Sequence, residues 1–124
     1  MDERKRVLAI LSEYGGIATE LTSPRATHKK WLGIYRLPLH SRYRMKLQDE
    51  GKIAHGDDRA SAYRIRIFET HLDKIAEDRW LAESDLENTE DYFAVGDDDL
   101  FDVLAKLNVD IAKLNLGYGI GYPI

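Results

Sequence analysis

The sequence predicts an α+β chain that is mostly helical: three helices and a β-hairpin, followed by two C-terminal helices. Three observations predict it. Val7, Leu8, Ile10 and Leu11 form an apolar stripe at helical spacing. Tyr63, Ile65 and Ile67 alternate with Arg64 and Arg66, the period-two pattern of a half-buried strand. Leu100, Leu104, Leu107, Ile111 and Leu114 recur at alternating spacings of four and three, a short coiled-coil-like seam.

The elements follow in chain order. Glu3 to Tyr14 predicts the first helix, stopped by Gly15-Gly16, since glycine adopts the left-handed cap conformation at little cost. Ile17 to Leu21 fits either a short strand or a helical turn. Ser23-Pro24 predicts a second helix start, with Ser as cap and Pro at the first turn, running to about Leu32. The third helix is expected from Pro38 to Gly51, because Leu39, Tyr43 and Leu47 lie four apart and share one face. Ile53 and His55 read as extended, Gly56-Asp57-Asp58-Arg59 as a turn, and Ala62 to Phe68 as the second hairpin strand. Thr70 to about Leu86 reads as a helix with Leu72, Ile75, Ala76, Trp80 and Leu81 inward. Glu87 to Gly96 reads as a loop. Asp97-Asp98-Asp99 opens a last helix to about Leu116, where acidic side chains complement the positive end of the helix dipole. The tail from Gly117 to Ile124 reads as irregular.

The chain has 124 residues, room for one domain or one domain with a helical appendage. It has no cysteine, which excludes disulfides, thiolate metal sites and a cysteine nucleophile. No apolar run approaches the roughly 18 residues of a membrane span, and the acidic start does not suit a secretory signal. A cytoplasmic location is the expectation. The net charge of −4 hides an asymmetry: residues 1–68 carry a balance of +6 and residues 69–124 a balance of −10. Such a split is a hint of nucleic-acid contact by the basic part.

The stretch Ser41-Arg-Tyr-Arg-Met-Lys-Leu-Gln-Asp-Glu-Gly-Lys-Ile-Ala-His55, with the alternating strand to Ile67, carries a Leu47-x-x-x-Gly51-x-Ile53 pattern. Over residues 4–68 this order resembles the winged helix-turn-helix superfamily of DNA-binding proteins. The resemblance implies a recognition helix at about 38–50 and a basic wing at 53–68. It divides the chain into a nucleic-acid-binding domain, 1–68, and an acidic helical extension, 69–124. His40, Ser41, Arg42, Arg44 and Met45 are expected near the reading end of the helix, where Arg is the commonest base reader. Arg25, Lys29, Lys30 and Lys46 are expected on phosphates, Arg59 in the wing turn is expected to contact DNA, and Arg64 and Arg66 are expected on the solvent side of the wing. The expected function is a small DNA-binding regulator of transcription or replication, with double-stranded DNA as partner. The Leu100–Leu114 seam is expected either to pack on the chain's own core or to form a homodimer interface.

Catalysis is not expected, and neither is a cofactor or metal. His28, His40, His55 and His71 show no metal-ligand spacing, and the aspartate run lacks the spacing of a calcium loop. An alternative of another class rests on the acidic half. Asp and Glu clustered between 83 and 102 could engage a basic partner, as an inhibitor or immunity-type protein engages a nuclease toxin.

Overall fold

A computed structural model describes residues 2–76 and 83–117, with backbone alone for 75 and 76. Four strands form one antiparallel sheet in sequence order: β1 (Gly16–Leu21), β2 (His28–Arg36), β3 (Ala62–His71) and β4 (Leu86–Val95). Helices α1 (Glu3–Tyr14), α2 (Arg42–Asp49), α3 (Leu72–Ala76) and α4 (Asp97–Lys106) punctuate it, with single 3-10 turns at Glu83–Asp85 and Ile111–Lys113.

The mostly helical expectation is overturned. The described residues are 37% helical and 33% strand, and the fold is not three helices plus a hairpin. The segment 23–32, expected as a helix, instead begins β2, whose Trp31, Leu32 and Ile34 face Phe68, Ile67 and Ile65 of β3 across the ladder. The segment 87–96, expected as a loop, is almost wholly β4, paired with β3 through Ala62↔Val95 to Thr70↔Leu86. Ile53 and His55 form no wing strand; Ile53 is buried with Leu37, Leu47 and Ala62 in a small core beneath α2. Of the expected 70–86 helix, the described residues form only the short α3, Leu72–Ala76, and the 3-10 turn Glu83–Asp85; Trp80, Leu81 and the 118–124 tail lie outside them. β3 runs across position 68/69, so residues from both sides of it share one sheet.

Local chemistry explains the helices that do form. The Asp2 side chain caps α1 at the Arg4 amide, and Gly15 closes it at φ 78° with its N–H on Leu11 O. The Ser41 side chain caps α2 at Tyr43 N. At the far end of α2, Lys52 N donates to Leu47 O, Gly51 N donates to Gln48 O, and Gly51 sits at φ 77°. This is the Schellman arrangement that ends helices of any fold. It accounts for the Leu47/Gly51/Ile53 pattern without a DNA-binding helix.

The main core lies on one sheet face, where α1 and α4 cover Ile17, Leu32, Ile34, Ile65, Ile67 and Ala94 with Val7, Leu11, Leu100, Phe101 and Leu104. Each fully buried large apolar side chain contributes about 1.5–3 kcal/mol. The C-terminal seam belongs to this core. Leu100, Leu104 and Leu114 are wholly buried, and Leu107 and Ile111 pack partly buried against them, so the seam faces its own sheet. Tyr63 ties α4 to the sheet, its hydroxyl donating to Asp97 at 2.6 Å; burial and that bond push the phenol up to about 12. No helix among the described residues is long and apolar enough to cross a membrane.

Candidate anion-binding cleft

Where β2 leaves the sheet and β3 enters it, the chain builds a cleft of about 400 Å³. Its walls come from four places: Leu11, Ser12 and Gly15 at the end of α1, Arg36 to Leu39 after β2, Arg44 on α2, and Asp58 to Ser61 before β3. Backbone bonds fix each wall. Arg36 N donates to Gly15 O at 2.9 Å, Leu37 N to Ala62 O at 2.8 Å, and Ser41 N to Pro38 O at 3.0 Å. The Asp57 carboxylate accepts from the amides of Arg59 (3.0 Å) and Ala60 (3.2 Å). That turn, in which a side chain substitutes for a backbone acceptor, holds the Arg59 segment against the cleft.

Three arginines therefore line this cleft: Arg36 and Arg59, both exposed, and Arg44, 2% exposed. One carboxylate, Asp58, shares the wall, leaving a formal charge of +2. Among the described residues, none of the three arginines forms an ion pair. Arg44 makes one hydrogen bond, from Nη2 to the carbonyl of Asp57 at 2.9 Å. A guanidinium carries five N–H donors, and a buried cation without a counter-charge is costly unless something compensates it. An anion entering the cleft supplies that compensation. Leu37, Pro38 and Leu39 give the same cleft an apolar side, and Leu39 is 57% exposed.

The other expected nucleic-acid contacts are dispersed. Arg25 lies at the opposite end of the sheet, paired with Glu69 and Glu87, both at 3.4 Å. Lys29 lies 3.5 Å from Glu20 and over the Trp31 ring, and Lys30 borders a polar recess with Glu69, Asn88 and Glu90. On α2, Arg42 leans on the Tyr43 ring, Ser41 is spent as the cap, and His40, Met45 and Lys46 are exposed. Arg44 points inward, so α2 does not present Arg42 and Arg44 together. Arg64 pairs with Asp91 at 2.9 Å, and Arg66, nearly buried, makes a two-pronged pair with Glu83. Those two cations are neutralised within the chain. Of the expected set, the cleft gathers Arg44 and Arg59. It adds Arg36, which sequence reasoning missed; the Trp31-Leu-Gly-Ile-Tyr35 run before it, rich in strand-forming residues, is the signal that could have placed it at a strand end.

The described residues contain no cluster of His, Asp and Glu that could hold a metal. No protein family, curated protein or solved structure matches the chain.

Proposed function

We propose that this is a nucleic-acid-binding protein that engages phosphate through the three-arginine cleft rather than through a reading helix. The observation that carries the proposal is the convergence of Arg36, Arg44 and Arg59 on one cleft without an ion pair among the described residues. Guanidinium forks match phosphate oxygens in pairs, giving short, strong hydrogen bonds. The apolar side made by Leu37, Pro38 and Leu39 suits a sugar or base beside the phosphate. A basic protein partner has less support, because Glu83, Glu87 and Asp91 of the acidic half are already paired with Arg66, His28 and Arg64.

Titrating a labelled single-stranded oligonucleotide at rising salt tests the proposal. One phosphate neutralised in the cleft gives a slope of log affinity against log salt of about −0.7, and each further phosphate met by the protein adds about as much. Absence of binding at about 50 mM salt would sink it. Binding of ATP but not of the oligonucleotide would keep the phosphate chemistry and reject the polymer.

A further inference from the structure

We infer that the cleft takes the terminal phosphate monoester of a strand in preference to an internal phosphodiester. This rests on the nucleic-acid reading above and specifies which part of the strand is held. Arg36, Arg44 and Arg59 against Asp58 leave the cleft at +2. A phosphate monoester carries about −1.5 to −2 at neutral pH, whereas a diester carries a single charge. The terminal group matches both net charges of the cleft; an internal one meets only one of them, so the monoester has the stronger charge-assisted contacts.

Depth favours the same group. Arg44 is 2% exposed and still lines the cleft, so its guanidinium belongs to the wall and not to the outer surface. An internal phosphate is flanked by sugars on both sides and meets exposed cations such as Arg59 more readily than a recessed one. A terminal phosphate has one sugar attached and three oxygens free, so it can enter with its sugar trailing along Pro38 and Leu39.

The test compares one oligonucleotide sequence in three forms: 5′-phosphorylated, 3′-phosphorylated and hydroxyl at both ends. Loss of a charge-assisted contact predicts about tenfold or more between a phosphorylated form and the hydroxyl form. Arg44→Lys keeps a charge but removes the fork; it is expected to weaken both forms, the phosphorylated one by about tenfold more than the hydroxyl one, and so to erase most of that preference. Should Arg44→Lys fail to fold, exposed Arg59→Ala is expected to shrink the same preference. Equal affinity for all three forms overturns the inference and leaves the nucleic-acid reading standing. No binding of any form, with binding of inorganic phosphate or a nucleoside monophosphate, rejects the strand for both. A preference that survives Arg44→Lys and Arg59→Ala unchanged places the terminal phosphate elsewhere and overturns the assignment.

Discussion

The two ends of the sheet carry the same kinds of residue and treat them in opposite ways. At the end where β2 begins and β3 finishes, the cluster's charges lie beside opposite charges, although Arg25 Nη2 and Thr70 Oγ1 are buried there without a hydrogen-bond partner among the described residues. Glu69, 4% exposed, accepts from Ser23 Oγ (3.1 Å), Arg25 Nε (3.4 Å) and Asn88 Nδ2 (2.7 Å). Asn88 adopts φ 50° beside the bulge between β3 and β4, a left-handed conformation that asparagine tolerates better than most residues. His28 bridges Thr27 Oγ1 at 2.8 Å and Glu87 at 2.7 Å, and its ring meets His71 edge-on at 4.9 Å. At the other end, Arg36, Arg44 and Arg59 share a cleft without such closure. The difference teaches that charge locates function only after pairing is known. A cluster of ion pairs fixes loops, and cations left without an ion pair are suited to a ligand.

The largest expected effect falls on the closed end. Glu69→Ala removes the acceptor for three donors and should cost about 2–3 kcal/mol, read as a lower urea midpoint, with oligonucleotide affinity unaffected. An unchanged midpoint would show that the cluster does not hold the loops. The same group makes stability pH-dependent. The bond from Asn88, with those from Ser23 and Arg25, holds the Glu69 carboxyl below its ordinary range. Its contribution is therefore complete above the unfolded value near pH 4 and is lost as pH falls through the lower folded value. Urea midpoints measured downward from neutral pH should fall in acid, and more steeply in the native chain than in Glu69→Gln; equal slopes would assign the acid loss elsewhere. Gly51→Ala should cost about 1 kcal/mol, since the position demands φ 77° although no heavy atom blocks a Cβ there. The smallest effect is expected at Arg42→Ala, which leaves strand affinity within about twofold if the open cleft carries binding, an exposed-side-chain change also worth little in stability. A large loss there would return the weight to α2.

Much of the local structure was legible. α1 has the expected bounds because both of its caps are written in adjacent residues, Asp2 and Gly15. The alternation of Tyr63, Ile65 and Ile67 marked β3, and the aspartate run marked the start of α4, where Asp99 accepts from Val95 N. What failed was non-local. Ser23-Pro24 offers a plausible helix start, but β2 gains a ladder on both sides, with β1 and β3, and that pairing overrides the local signal. β4 hid as a loop because it is an edge strand whose first half, Glu87 to Asp91, is polar and exposed, which confines its apolar run to Tyr92–Val95; the partners that make it a strand lie on β3. Arg44 and Arg59 were recognisable as cations of interest, but their role was not. Helical periodicity put Arg44 outside, whereas the loop from Gly51 to Ser61 folds back and covers it, with Asp57 O as its acceptor. Arg36 gave no signal until β2 was placed.

The central claim is that the open arginine end, and not the paired end or α2, holds the ligand. The most direct measurement is the strand affinity of Arg36→Ala/Arg59→Ala beside the native chain, with urea midpoints for both. Both side chains are exposed, so the midpoint should stay within about 0.5 kcal/mol of native. The account predicts a loss of at least about tenfold in affinity with a shallower salt dependence. Native affinity and slope in the double variant would contradict it.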